Sequence, residues 1–181
     1  AKEKQMTTLS TLDTPAALID RSKMQANIAR MQQQMNSLGV RFRPHVKTSK
    51  CLPVVQAQIA AGAQGITVST LKEAEQFFAA GITDILYAVG MTAGKLPKVL
   101  ALRRQGCQLK IITDNATSAA DIVAFGKEHG ESFEVWIEID CQEGVHKEKA
   151  ENLPTKEQAL GILKGLPVIP TVIMDSGGGY H

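Results

Sequence analysis

The stretch GITVSTLKEAEQFFAAGITDILYAV, residues 65–89, contains a complete strand–helix–strand unit. Residues 65–69 are short and β-branched, which predicts a strand. Thr70 and Glu73 have the spacing of a capping box, and the helix that they open is predicted to end at Gly81. Residues 84–89 predict a second strand. Because a helix that joins two strands gives a right-handed crossover, this unit predicts neighbouring parallel strands.

The same alternation extends along the chain in both directions. Helices are predicted between the strands, each ending near a glycine, and the last of them is capped by Thr155 with Gln158. Ahead of these units, residues 15–20 predict a short strand, and an apolar stripe between Asp20 and Gly39 predicts a helix. The later strands are predicted to begin near residues 41, 65, 84, 109, 133 and 167.

Two architectures are built from repeated β-α units: an open doubly wound sheet and a closed barrel. The doubly wound dinucleotide fold needs a glycine-rich turn after its first strand, and neither ALIDRSK nor VKTSKC contains a glycine. A barrel places its chemistry at the carboxyl ends of its strands, and several of these ends are polar. They are predicted at Lys47, Ser69, Val89, Thr113–Asp114, Asp140 and Asp175. These features favour the barrel over the doubly wound sheet.

The overall composition excludes several classes of protein. Of 181 residues, 44% are hydrophobic and 21% are charged, as in an ordinary globular domain. A net charge of +2 and only 4% aromatic residues argue against nucleic-acid binding, and no apolar run is long enough to span a membrane. Three widely spaced cysteines predict no disulfide framework and favour a cytoplasmic location. No group of residues has the spacing of metal ligands.

The segment RFRPHVKTSK, residues 41–50, places basic side chains on one side of a predicted strand. Counting by twos, Arg41, Arg43, His45 and Lys47 share that side. Like charges favour the neutral form of a lysine, and a neutral amine can form a Schiff base with an aldehyde, while the same face attracts phosphate. Pyridoxal phosphate carries both groups. From the spacing alone, a solvated basic face on an edge strand is the favoured explanation of the pattern.

Four segments carry a resemblance to a known family: TPAALIDRSKMQANIARM, RFRPHVKTSKC, GITVSTLKEAEQFFAAGITDILYA and TDN. They resemble the N-terminal part of the alanine-racemase-like, fold-type III pyridoxal-phosphate proteins, in the branch of D-threonine aldolase and D-serine dehydratase. The string R-P-H-x-K-x-x-K is the most specific of these motifs. The resemblance covers about Leu12 to Asp140, and again residues 172–180.

This resemblance implies roles for particular residues. Lys47 would be the catalytic lysine that carries pyridoxal 5′-phosphate as an internal aldimine. Arg43, His45 and Asp140 would contribute to cofactor binding, as would the segment MDSGGGY, in which Gly177, Gly178 and Tyr180 match relatives. Two positions depart from the family pattern: EIDCQEGVHKEK lacks the arginine that relatives have after the fifth barrel strand, and Asp175 stands where relatives have a histidine.

The resemblance also implies the domain organisation. Residues 1–11 are expected to be a leader. Residues 12–181 are expected to form a cofactor-binding α/β domain, a TIM-type (β/α)8 barrel that is truncated at its C-terminal side, with six barrel strands. The strand at residues 15–20 would belong to a C-terminal β domain that also supplies the ligands of a divalent metal. The implied partners are a small D-amino acid and a second copy of the chain in a homodimer.

The implied activity is that of a lyase acting on β-hydroxy D-amino acids. It would proceed by retro-aldol cleavage or by dehydration with deamination, through a Schiff base on Lys47. Two alternatives stay open: a barrel that binds pyridoxal phosphate without turnover, and an amino-acid racemase. A racemase needs a second base on the opposite face of the substrate, and the sequence does not identify one.

Overall fold

A computed structural model describes residues 8–140 and 172–175. Helices and strands alternate through this part of the chain, as the repeated pattern predicts. The helices are α1 Arg21–Ser37, α2 Leu52–Ala60, α3 Leu71–Ala79, α4 Leu96–Arg104 and α5 Ala116–His129. The strands are β1 Ile66–Val68, β2 Asp84–Gly90, β3 Gln108–Thr113, β4 Val135–Asp140 and β5 Val172–Asp175.

The five strands form one parallel sheet whose spatial order is the same as their order in the chain. The segment 42–46 lies beside β1 as a sixth extended segment. Two of its hydrogen bonds join it to Thr67: the Thr67 N–H donates to Pro44 O at 2.8 Å, and the Val46 N–H donates to Thr67 O at 2.9 Å. A doubly wound sheet would reverse its order at a switch point. The sequential order is that of a barrel wall.

The two faces of the sheet differ in chemistry. The outer face, toward the helices, is apolar and fully buried, with side chains such as Ile66, Ile85 and Ile111 at 0% exposure. Side chains on the inner face include His45, Asp84 and Lys110, which contact partners on neighbouring strands. Burial of the outer face against α2 to α4 supplies the hydrophobic stabilisation, whereas the inner face also carries polar and charged side chains.

Local sequence signals fix the helix ends. The Asp20 side chain accepts the N–H of Lys23 at 3.0 Å and opens α1, and the Asn115 side chain accepts the N–H of Ser118 at 2.8 Å and opens α5. The capping box predicted for Thr70 and Glu73 is present at the start of α3. These ends agree with the predicted ones to within two or three residues.

Two predicted strands are wrong. Residues 15–20 pair with no strand in the described part of the chain, and Leu18 is 64% exposed. Residues 41–48 form only an isolated bridge, between His45 and Thr67, instead of a full strand. Pro44 has no N–H to donate, and the chain enters a turn at Lys47, so that a regular ladder cannot extend. The predicted helix at 155–165 and the MDSGGGY tail beyond Asp175 lie outside the described residues.

Candidate active site

Lys47 is at the carboxyl end of the extended segment that lines the first position of the sheet. Val46 before it is 1% exposed and packs in the helix layer, and the chain enters a turn at Lys47. The Lys47 side chain is exposed and makes no hydrogen bond or ion pair with any described residue. Lys47 thus follows directly after the segment that lies beside β1, and its amine is accessible to solvent.

His45 is directly beside Lys47 and is held by two neighbours. Its Nδ1 accepts the backbone N–H of Lys47 at 3.2 Å, and its Nε2 is 3.2 Å from Ser69 Oγ, at the end of β1. Burial lowers the pKa of His45 below its usual value, and the charge of Lys47 lowers it further, while the Glu73 carboxylate partly opposes both. The imidazole is therefore neutral near pH 7.

Glu73, near the start of α3, is a buried carboxylate at the same end of the sheet, with 5% exposure. Its Oε2 accepts the N–H of Ser69 at 2.8 Å, and its Oε1 is 3.0 Å from Lys50 Nζ. Burial raises the pKa of Glu73, but the Ser69 N–H and the Lys50 ammonium outweigh this effect and hold the pKa below its usual value. The sequence identifies Glu73 only as a capping residue; its contacts with Ser69 and Lys50 are not predictable from spacing.

Arg43 makes its contacts toward the amino ends of the strands. Its Nη1 and Nη2 bind the two carboxylate oxygens of Asp84 at 2.9 and 2.8 Å, and Lys110 Nζ binds the same carboxylate at 2.6 Å. The Arg43 guanidinium also lies 5.7 Å from the ring centre of Trp136. Three residues in an extended segment separate Arg43 from Lys47, a span of about 13 Å. The Arg43 guanidinium is thus engaged in an ionic layer at the base of the sheet.

The remaining predicted site residues are placed only in part. Asp140 ends β4, and its backbone is in register with Asp175 of β5. The segment with Gly177, Gly178 and Tyr180 lies outside the described residues. The structure thus brings His45 and Lys47 together and places Arg43 at the other end of the same segment. The roles predicted for all these residues stay predictions.

Two absences in the described part of the chain bear on metal and membrane binding. Within residues 8–140 and 172–175, no three His, Cys, Asp or Glu side chains form a group that could hold a metal ion. No helix in these ranges is long and apolar enough to cross a lipid bilayer.

Comparisons with known proteins agree with this geometry. Residues 19–168 match the family described as alanine racemase, N-terminal domain. The D-threo-3-hydroxyaspartate dehydratase of Delftia sp. strain HT23 is 70% identical over 133 residues, which are 74% of this chain and 35% of that protein. The 3-hydroxy-D-aspartate aldolase of Paracoccus denitrificans is 27% identical over 174 residues, which are 95% of this chain and 44% of that protein.

The crystal structure of the Delftia dehydratase superposes on this chain with a TM-score of 0.80 and 57% identity. The match covers 93% of this chain and 45% of that structure. The chain thus spans less than half the length of the relatives that it matches. The barrel predicted from the sequential β-α units is confirmed. The chain belongs to the alanine racemase N-terminal domain family, within fold-type III of the pyridoxal-phosphate-dependent proteins.

Proposed function

We propose that this chain holds pyridoxal 5′-phosphate on Lys47 and forms the cofactor-binding barrel of a lyase for β-hydroxy D-amino acids. The observation that carries the proposal is the placement of Lys47. Its amine is exposed, has no ion-pair partner in the described part of the chain, and follows the extended segment that lies beside β1. The family and the names of the relatives support the same conclusion.

The residues around Lys47 fit such a cofactor. An aldehyde requires an accessible amine, and Lys47 supplies one on a backbone that His45 holds through the Lys47 N–H. The neutral His45 ring and Ser69 provide polar atoms beside it. Arg43 fits the predicted cofactor-binding role less well, because its Nη1 and Nη2 already bind Asp84.

When bound, pyridoxal phosphate acts as an electron sink for a carbanion at the Cα of an amino acid. The contribution of this chain is then to position groups around that atom. A free Lys47 amine would be a base on one face of the substrate and could carry a proton to or from Cα. The hydrogen bond from the Lys47 N–H to His45 would fix the backbone from which that amine projects.

The substrate class that we propose is β-hydroxy D-amino acids, with D-threo-3-hydroxyaspartate as the first compound to test. The Delftia relative is a dehydratase for it, and the Paracoccus relative is an aldolase for a 3-hydroxy-D-aspartate. The products discriminate the two reactions. Loss of water followed by hydrolysis gives oxaloacetate and ammonia, whereas cleavage between Cα and Cβ gives glycine and glyoxylate.

The experiment has two stages. The purified protein is mixed with pyridoxal phosphate, its visible absorption is recorded, and borohydride reduction followed by peptide mass spectrometry locates the modified lysine. We expect a yellow protein labelled at Lys47, and no such label in a Lys47→Arg variant. A colourless protein, or label spread over surface lysines, contradicts the proposal. The substrate is then added and the four products are measured.

The same experiment distinguishes the alternatives. Label at Lys47 without any turnover identifies a cofactor-binding protein that is not catalytic. Exchange of the Cα proton with solvent deuterium and inversion of a D-amino acid identify a racemase. Tyr87 does not provide the second base on the inner face, because its ring is buried in the hydrophobic core and its hydroxyl accepts a hydrogen bond from Lys95 at 2.7 Å.

A homodimer, a cytoplasmic location and a divalent metal also belong to the proposal. The free thiols of Cys51 and Cys107 support a reducing compartment. A variant of the Delftia enzyme is known in a metal-free form, which supports a metal requirement in that relative. Light scattering of the purified protein tests the dimer, and turnover before and after treatment with a chelator tests the metal.

A further inference from the structure

A chain of contacts links α3 to the backbone of Lys47. The first link is His45, whose Nδ1 accepts the Lys47 N–H at 3.2 Å. An imidazole nitrogen that accepts a hydrogen bond carries no proton, so the proton of the neutral ring is on Nε2. That assignment lets Nε2 donate to Ser69 Oγ, 3.2 Å away. Both ring nitrogens are therefore used, and the ring is held in one tautomer.

The second link is the carboxylate of Glu73, which fixes Ser69. Glu73 Oε2 accepts the N–H of Ser69 at 2.8 Å and that of Thr70 at 3.2 Å. A capping box requires only the bond to Thr70, the residue at the N-cap. The shorter bond to Ser69 is an additional contact, and it orients the residue whose hydroxyl faces His45.

The third link leads from Glu73 to the other side of Lys47. Lys50 has a φ of +44°, in the left-handed region that a lysine seldom adopts. Its N–H donates to Val46 O at 2.9 Å and closes the turn that contains Lys47, and its Nζ is 3.0 Å from Glu73 Oε1. Lys50 is the second lysine of the R-P-H-x-K-x-x-K string, and the proposed cofactor role of Lys47 does not explain it. The ion pair with Glu73 gives Lys50 a structural role.

We propose that Glu73 is a positioning residue for Lys47. It acts on the N-terminal side of Lys47 through Ser69, which contacts His45, and on the C-terminal side through its ion pair with Lys50. The inference rests on the proposed function of Lys47. Glu73 touches neither cofactor nor substrate in this scheme. It fixes the backbone from which the reactive amine projects, so that the amine meets an incoming aldehyde in one orientation.

The test measures the amine itself and not turnover. The protein is incubated with pyridoxal phosphate for increasing times and reduced with borohydride, and the labelling of Lys47 is divided by that of Lys127. Lys127 is exposed on α5, away from Glu73 and Glu75, and it serves as an internal reference within the same protein. We expect Glu73→Gln to lower this ratio at least about five-fold, since a neutral amide no longer binds Lys50 as an ion pair.

Two further variants separate positioning from folding. Ser69→Ala removes the hydroxyl partner of His45 without touching the helix cap, and we expect it to lower the ratio as well. Glu75→Gln is the matched control, because Glu75 lies on the same helix and pairs with Lys98 at 2.9 Å. It should leave the ratio unchanged. Thermal melting of each variant verifies that the fold is retained.

The pH profile gives an independent readout. Protonation of His45 places a proton on Nδ1, where it opposes the Lys47 N–H and breaks that bond. The charged groups that face the ring are Lys47 and Glu73. Because burial and the charge of Lys47 lower the pKa of His45 from its ordinary value of 6.5, the labelling ratio of the native protein should stay constant near pH 6.5 and fall only at lower pH. In a His45→Gln variant, which has no group that titrates there, the ratio should be flat.

The outcomes are distinct for the two proposals. If Lys47 of the unaltered protein is not labelled, the proposed function fails. If Lys47 is labelled and the ratio is the same in Glu73→Gln and Ser69→Ala as in the unaltered protein, the function stands and the positioning role is refuted. A lower labelling ratio in both Glu73→Gln and Ser69→Ala, with an unchanged ratio in Glu75→Gln, supports the positioning role of Glu73.

Discussion

Gly65 is a position in the described part of the chain where a single added methyl group should disturb the fold strongly. It ends the turn between α2 and β1 with a φ of +99°. A Cβ at this position would lie 2.6 Å from the backbone oxygen of Asp84, and it would also clash with Nη1 of Arg43. The guanidinium can move aside. The Asp84 oxygen cannot, because Asp84 is the first residue of β2 and is in register with Gln108 of β3.

The cost of Gly65→Ala has two parts. The left-handed backbone costs an alanine about 1–2 kcal/mol, of which about 0.4–1 kcal/mol is offset by the lower entropy of the unfolded chain. The contact with the backbone of Asp84 adds about 2 kcal/mol of overpacking. The free energy of unfolding should therefore fall by about 3 kcal/mol in total.

Gly106 provides the matched control for this prediction. It ends the equivalent turn before β3 with the same φ of +99°, but no atom lies within 4 Å of the position that an added Cβ would take. Gly106→Ala should cost only the backbone part, about 1 kcal/mol. The melting temperature of Gly65→Ala should thus be about 4–8 °C below that of Gly106→Ala. Equal melting temperatures would refute the close approach of Asp84 to Gly65.

Three other predictions concern groups away from Lys47. Asp84→Asn should lower the free energy of unfolding by about 2 kcal/mol at pH 7, because Arg43 and Lys110 lose their carboxylate partner. The pKa of Asp84 is lowered on folding, so this loss of stability should shrink below about pH 4, as denaturant titrations at several pH values will show. Burial raises the pKa of the Cys107 thiol to about 11. Iodoacetamide at pH 8 should therefore label Cys51 in the native protein and Cys107 only after unfolding, and mass spectrometry of the peptides measures both. Arg103→Lys should lower the free energy of unfolding by about 1–2 kcal/mol in the same denaturant titrations, because a lysine cannot bind Glu131 and two backbone carbonyls at once. An unchanged free energy of unfolding would contradict the three contacts of the Arg103 guanidinium.

The alternation of the β-α units was predictable because each unit carries its own signals. The capping box of Thr70 and Glu73, and the left-handed glycine at residue 81, are local features that fix where α3 begins and ends. The apolar outer face of each strand also follows from residue type alone. Residues 15–20 are different: they are as apolar as a strand, yet Leu18 and Ile19 are exposed. Strand formation requires a partner strand, and residue type does not reveal whether one is present.

The site was predictable to the extent that it lies within one segment. Counting by twos correctly puts His45 on the inner side, as its contact with Ser69 shows, and predicts the same side for Lys47. The electrostatic part of the prediction was incomplete, because the partners of the basic residues come from other elements. Asp84 neutralises part of the charge of Arg43 from 41 residues away, and Glu73 reaches Lys50 from α3. Pairing across such distances in the sequence leaves no periodic signal.

The segment that carries Lys47 is held by backbone hydrogen bonds to Gln64 and Thr67 and by one side-chain anchor at each end. Its pairing with β1 is limited to a bridge between His45 and Thr67, in contrast to the regular ladders between the later strands. Arg43 anchors its lower end to Asp84, and His45 anchors its upper end to Ser69. Because the two anchors are at opposite ends of the inner face, loss of the lower one should reduce stability without altering the labelling of Lys47. Loss of the upper one should alter the labelling with a smaller effect on stability. The Arg43–Asp84 contact would thus stabilise the fold, and the His45–Ser69 contact would position Lys47. This separation lets the amino end of the segment stay rigid while the Lys47 amine remains accessible.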